Sequence, residues 1–283
     1  MTLSRSRLHM TATRLLALCI VAGGVAACGD EKLGPPPPIG ALRFINAVAD
    51  TGAMDFRVVD IVGDAPQLLG NAFRAASPYQ AVEAGNRHLK VFITPSQTDT
   101  LVGSPTVWDT TFTFVAGTNY TVIMTGFART GSTPALRMLI LQDDPTAPAA
   151  GQIRLRAVNA GSGLGAIDAF WRPTAAAAPG TGFATNLAFG AAGTYAPLDT
   201  AALQVAATAT GTTTPTLADV VGPPGVAGTP AANPIAGTRI AGSVLTAFLV
   251  PASVVGSTAP QGGAFATPTI LYLADRRPDM TVP

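Results

Sequence analysis

The chain has 283 residues, 48% of them hydrophobic and 12% charged, with 17 Lys and Arg set against 16 Asp and Glu. That balance leaves no electrostatic footprint for nucleic acid, and two lysines, Lys32 and Lys90, make no basic patch for a membrane surface. The 30 Gly and 24 Pro, beside abundant Ala and Thr, favour many short strands joined by turns over helices.

Residues 1–27 have the pattern of an export signal. Arg5, Arg7 and Arg14 form a basic leader, and Leu15 to Ala27 is an almost unbroken apolar run closing on Val25-Ala26-Ala27-Cys28. The run falls short of the roughly 20 residues a bilayer span needs, which suits a cleaved signal peptide. The small residues before Cys28 resemble the lipobox of bacterial lipoproteins, which makes Cys28 the expected lipidation site and the N-terminal lipid the expected link to the membrane. Without the three leader arginines, 14 basic residues face 16 acidic ones, a net charge of about −2. The other cysteine, Cys19, lies in the leader, so the mature chain is expected to have no disulfide and to be held by packing alone.

Residues 28–38 read as a tether. Pro35 to Pro38 favour an extended polyproline helix, and at about 3.1 Å per residue the stretch spans roughly 30 Å. The remainder repeats itself. Leu42-Arg43-Phe44-Ile45-Asn46-Ala47 matches Leu155-Arg156-Ala157-Val158-Asn159-Ala160, and the same register carries Met54-Asp55 onto Ile167-Asp168. Further along, Ala72-Phe73 through Tyr79 matches Ala188-Phe189 through Tyr195, Ala116-Gly117-Thr118 matches Ala236-Gly237-Thr238, and Leu139 to Asp143 matches Leu271 to Asp275. Two domains follow, at 39–147 and 150–283, with Pro145 to Pro148 as the hinge.

Expected strands in the first copy are Ala41–Val48, Met54–Val59, Arg87–Ile93, Thr110–Val115, Asn119–Phe127 and Leu136–Gln142. Within Asn119–Phe127, Tyr120, Val122 and Met124 alternate with Thr121, Ile123 and Thr125. The second copy offers Ile153–Val158, Ala166–Trp171, Leu203–Ala207, Arg239–Val250 and Thr269–Leu273, while residues 208–234 read as a long mobile loop. Each copy is thus expected to be an all-β, antiparallel, immunoglobulin-like sandwich. A membrane barrel is disfavoured, because few segments sustain ten alternating residues and aromatics are 6%.

The repeated pattern of Leu-Arg-x-Ile/Val-Asn-Ala, Met/Ile-Asp, Ala-Phe-(five residues)-Tyr and Ala-Gly-Thr resembles the domain-of-unknown-function 4397 family of exported and lipid-anchored bacterial proteins. The resemblance is good for copy one and weaker for copy two, which lacks the Ser-Pro before its tyrosine. It implies a β-sandwich and an exported address, with no established activity and no transferable functional residue. Many members carry His where Asn46 and Asn159 stand, so any role of that histidine is absent.

Chemistry-bearing residues are few. His88, the one histidine outside the leader, alternates with Leu89 and Val91 and so lies on the solvent face of a strand. Cys/His zinc sites and His-based triads lack ligands, and no cofactor or metal is expected. Asp143 and Asp144 suit a turn before Pro145 better than acid/base chemistry. Asp55 and Asp168 recur as carboxylates accepting backbone hydrogen bonds to fix the preceding turn; a calcium site fails because the counterpart of Asp50 is Gly163. Tyr79 and Tyr195, each six residues after Phe73 and Phe189, read as half-buried rings whose hydroxyls reach backbone groups. Trp108 and Trp171 read as core. The expected function is a non-catalytic binding or structural display role in the cell envelope, with an envelope glycan or protein as partner. The alternative is an envelope glycan hydrolase using Asp143 and Asp144. Gly29 after Cys28, with Asp30 one place later, favours the outer membrane over the inner.

Overall fold

The computed structural model describes residues 35–278, apart from 62, 64, 95–104, 175 and 177–179. The leader, Cys28 and the start of the tether lie outside the described residues. The chain divides into two units, Met1–Pro37 and Pro38–Pro283. Of the first, Pro35 to Pro37 are exposed and outside any strand.

In the second unit, strands come in two sets of eight among the described residues. The first holds β1 (Ile39–Val48), β2 (Met54–Val58), β3 (Gln67–Asn71), β4 (Gln80–Glu83), β5 (Gly85–Ile93), β6 (Thr106–Phe114), β7 (Asn119–Gly126) and β8 (Arg137–Asp143). The second holds β9 (Gln152–Asn159), β10 (Ile167–Pro173), β11 (Thr181–Leu187), β12 (Ala196–Asp199), β13 (Leu203–Ala209), β14 (Thr216–Val221), β15 (Val244–Val250) and β16 (Thr269–Arg276). The sheets β4-β1-β7-β8 and β3-β2-β5-β6 make the first sandwich, and β12-β9-β15-β16 and β11-β10-β13-β14 the second, in matching order. Pairing is antiparallel except that β1 runs parallel to β7 and β9 parallel to β15.

Three apolar clusters separate the four sheets. Leu42, Phe44, Phe56, Leu89, Val91 and Val122 fill the first sandwich. Leu155, Ile167, Val205, Leu245 and Leu249 fill the second. A third cluster, of Ile45, Ala47, Ile123, Val158, Phe248 and Val250, joins β4-β1-β7-β8 to β12-β9-β15-β16 face to face. The two inner sheets are therefore covered on both sides, which explains why β7 and β15 are buried along nearly their whole length. The alternation along β7 sends Tyr120, Val122 and Met124 into the sandwich core, while Ile123 faces the junction.

Two expectations need correction. Residues 208–234 are not one long loop: β13 runs to Ala209, β14 forms the edge of the outer sheet, and Val226 pairs with Ile235. Thr/Ala-rich segments pair readily once a neighbouring strand supplies the ladder, whatever their periodicity. Secondly, the counterpart of Ala116-Gly117-Thr118 is Ala241-Gly242-Ser243 rather than Ala236-Gly237-Thr238. Gly117 (φ 72°) donates to Ile39 as Gly242 (φ 85°) donates to Gln152, and both turns lead straight into the inner strand. The Pro145 to Pro148 segment is tied down, because Arg154 bonds the Thr146 carbonyl at 2.9 Å and the Asp144 carboxylate at 2.7 Å.

Candidate functional site: the junction of the two sandwiches

The polar residues that recur in both copies gather at the junction. On the face of β1 opposite the core, Arg43 is followed by Ile45 and Ala47; on β9, Arg156 is followed by Val158. Arg43 pairs with Asp275 of the second sandwich, and Arg156 pairs with Asp143 of the first. The exchange is reciprocal in its main hydrogen bonds and ion pairs. Arg43 Nε donates to Thr121 Oγ1 at 2.8 Å, and Arg156 Nε to Thr246 Oγ1 at 2.8 Å. Arg43 Nη1 donates to the Ala274 carbonyl at 2.9 Å, and Arg156 Nη1 to the Gln142 carbonyl at 3.3 Å. Tyr79 donates to Asp143 at 2.6 Å and Tyr195 to Asp275 at 2.7 Å, and each ring lies under the guanidinium of its own sandwich at 4.6 Å.

All four charges are buried, at 3–4% exposure. Burial of an ion pair is tolerated only where further hydrogen bonds satisfy the remaining donors and lone pairs, and Thr121, Thr246, Tyr79 and Tyr195 supply them here. Burial pushes the Asp275 carboxyl up, against the pull of Arg43 and Arg156. Burial likewise raises the Tyr79 and Tyr195 phenols above their ordinary value, with Arg43 and Arg156 respectively opposing and the neighbouring aspartates adding to it. These groups are committed to one another.

The paired carboxylates do not form an acid/base dyad. Asp143 is sealed in the junction, whereas Asp144 turns away to Arg154 and Thr146, whose hydrogen bonds hold it well below the usual carboxylate range. A general acid needs the opposite shift. The sequence reading of Asp143 as a turn residue is corrected as well, since its carboxylate spans two sandwiches. So is the expectation for Tyr79 and Tyr195, whose hydroxyls reach carboxylates and not backbone groups.

The other repeated residues lie elsewhere. Asn46 and Asn159, fully buried near the ends of β1 and β9, each donate to two carbonyls (Gly52 and Asn71; Gly165 and Leu187) and accept from Val48 and Gly161. A neutral amide serves both donor and acceptor needs there. Asp55 accepts from Gly70 N and Thr94 Oγ1, and Asp168 from Asn186 N, Gly211 N and Thr210 Oγ1. The turn each fixes is thus in the neighbouring strand and the loop beyond, not the one preceding it, because the carboxylate points across the sheet. The backbone bond from Asn186 leads in lowering the Asp168 carboxyl.

Phe73 is buried and Phe189 half-buried, in the turns after β3 and β11. Arg74 stacks on Phe73 and donates to the Pro251 and Ala264 carbonyls, while Arg137 stacks on Phe189 and donates to its carbonyl. Trp108 and Trp171 are half-buried against the two sandwich cores. His88 bonds Asp109 at 2.6 Å on the outer face of β5.

Sequence reasoning missed Arg43, Arg156, Thr121, Thr246 and the buried role of Asp143 and Asp275. A signal was present: a charged residue set between apolar neighbours at the same place in both copies.

Among family models, the domain of unknown function DUF4397 matches residues 40–170. The match covers the first sandwich, β9 and most of β10. No curated protein matches the chain. Among solved structures, the chain is similar to a leucine-rich repeat protein from Bacteroides thetaiotaomicron at 11% identity, with a TM-score of 0.22. That likeness covers 77% of this chain and 26% of the other, so the chain spans about a quarter of that protein's length.

Proposed function

We propose that this DUF4397-containing chain is a lipid-anchored envelope protein in which two copies of the domain act as one rigid body for binding or display, without catalysis. The observation that carries this reading is the reciprocal junction. The polar side chains that recur in both copies are spent on joining the sandwiches or pinning loops, so what recurs is architecture. A bacterial lipobox ahead of a proline tether supplies the anchor: Cys28 takes the lipid, and the outer membrane is the favoured site. The partner is an envelope glycan or protein met through loops.

Fractionation tests the anchor, with Cys28→Ser expected to move the protein from membrane to soluble fraction and retention in the membrane overturning it. Protease shaving of intact cells then separates the two settings. Cleavage means surface display and external partners. Protection until the envelope is opened means periplasmic partners.

A further inference from the structure

Strand directions gather four loops at one end of the second unit. β1 and β7 run parallel and end there, as do β9 and β15. Thr125 Oγ1 bonds the Ala160 carbonyl at 2.8 Å, and Val254 N bonds the Ala49 carbonyl at 2.8 Å, so the ends of both inner sheets meet. Ile39, where the chain enters β1, is at the opposite end. Between these loops lies a recess of about 320 Å³ lined by Asp50, Phe127, Arg129, Ser132, Thr133 and Val254.

The geometry points to this recess as a binding site for one neutral sugar unit of a polysaccharide, an inference that rests on the binding role proposed above. Its frame is fixed beforehand. Asp50 accepts from Ala128 N at 2.8 Å and Arg129 N at 2.9 Å, one bond to each oxygen, which leaves each a second lone pair for a ligand hydroxyl. Phe127 N bonds the Pro134 carbonyl at 3.0 Å, bracing the loop across its base. Preorganisation of this kind removes ordering cost from binding. Arg129, Ser132 and Thr133 line the recess and their side chains make no hydrogen bond among the described residues, whereas Arg43, Arg156, Asp143 and Asp275 of the junction are bonded to one another and to their neighbours.

The lining suits a sugar. Phe127 offers a half-exposed ring to the C–H face of a pyranose, and a carboxylate, a guanidinium and two hydroxyls surround it to meet hydroxyls of either sense. Arg129 and Asp50 offset each other in charge, which favours a neutral ligand. The volume is at the lower end for ligand sites, and the recess lies among loop tips where a polymer can run past. The second copy cannot repeat the site. By strand register, Gly163 stands for Asp50, Ala252 for Phe127 and Val254 for Arg129, so one site per chain follows.

The test is isothermal titration and affinity electrophoresis of the full chain against soluble neutral glycans: glucan, mannan and N-acetylglucosamine oligomers. At least one is expected to bind with one site per chain, weakened about tenfold or more by Arg129→Ala and by Asp50→Gly, since each removes a hydrogen bond to a charged group. Arg129 is exposed, so its variant is expected to fold as the parent does, checked by an unchanged melting temperature. Tyr79→Phe, remote from the recess, is expected to leave binding unchanged. Binding that survives both substitutions overturns the site while sparing the binding role. A panel that fails entirely, or a preference for free amino acids or peptides over sugars, overturns the sugar assignment, and the fractionation and shaving results then judge the wider reading alone.

Discussion

The two sandwiches match each other where they touch through charge and complement each other where they touch through their turns. Across the ion pairs the exchange is symmetric: Arg43, Thr121, Asp143 and Tyr79 on one side, Arg156, Thr246, Asp275 and Tyr195 on the other. At the Phe73 and Phe189 turns the symmetry breaks. In the first copy the arginine belongs to the turn, as Arg74 (φ 64°), and reaches carbonyls of the loop after β15. In the second the turn carries Gly190 (φ 84°), and the arginine comes from the facing strand, as Arg137. By strand register the residue matching Arg137 is Thr269. Each turn thus has one arginine over its phenylalanine, and the first sandwich supplies both, one from its own turn and one from the strand facing the other turn. Two matching halves of an interface can differ residue by residue, provided each pocket keeps one occupant.

The largest effect is expected from breaking the symmetric part. Asp143→Ala leaves Arg156 buried without its partner, a loss of about 3–5 kcal/mol. Asp275→Ala is expected to cost a similar amount through Arg43. Calorimetry of the parent is expected to show one unfolding transition, because the third apolar cluster and the ion pairs unfold with both sandwiches. Two well-separated transitions in the parent would refute the single rigid body. Replacing Arg156 and Asp143 together by Met and Leu is expected to restore most of the loss, as apolar replacements of whole buried pairs do.

The turn comparison predicts the next effect. Gly190→Arg places a side chain where a Cβ alone already collides with the Arg137 guanidinium. It also adds left-handed strain, for a total of roughly 2–4 kcal/mol. Arg137→Thr in the same chain, which copies the first sandwich's arrangement, is expected to recover part of that loss in the melting temperature. A harmless single substitution, or a double variant no better than the single, would show that the two turns are not complements.

Tyrosine ionisation sharpens the symmetric part again. Tyr79, Tyr195 and Tyr272 are held above the ordinary phenol value of 10, chiefly by burial. A raised folded value means stability that is complete below pH 10 and lost as pH rises beyond it. Absorbance at 295 nm is therefore expected to show Tyr79, Tyr195 and Tyr272 ionising only with unfolding. Tyr79→Phe and Tyr195→Phe are each expected to cost about 1 kcal/mol at neutral pH, and clearly unequal costs would break the equivalence of the two half-sites.

Much of the sandwich was legible and its covering was not. The alternation of β7 announced two distinct faces, yet nothing local distinguishes a face turned to water from one turned to a second sandwich when Thr121 and Thr125 stand on it. The short strands β3, β4, β11, β12 and β14 were not legible because each has four to seven residues at a sheet edge, where only one or two side chains are buried and no period can be read. Ala236-Gly237-Thr238 misled because the insertion before β15 happens to hold the same three residues as the true turn motif of copy one. Asn46 and Asn159 were legible as repeated positions, but the carbonyls they bond lie up to 28 residues away and no spacing rule points to them. Arg43 and Arg156 were visible as letters of a repeat, and their meaning required the partner carboxylate more than 200 residues away in one case and 13 in the other.

The smallest effect concerns Asp55 and Asp168, equivalent in sequence and unequal in bonding among the described residues. Asp168 accepts from Asn186 N, Thr210 Oγ1 and Gly211 N. Asp55 accepts from Gly70 N and Thr94 Oγ1, and the residue after Thr94 is Pro95, whose nitrogen carries no hydrogen to donate. The lowered carboxyl value of Asp168 means stability present above the ordinary value of 3.8 and lost as pH falls through it. Asp168→Asn is therefore expected to cost about 1 kcal/mol at pH 7 and to flatten the acid limb of the stability curve. The urea midpoint measured from pH 3 to pH 7 checks it. A cost that does not shrink toward pH 3 would show that the side chain acts through packing there and not through its charge.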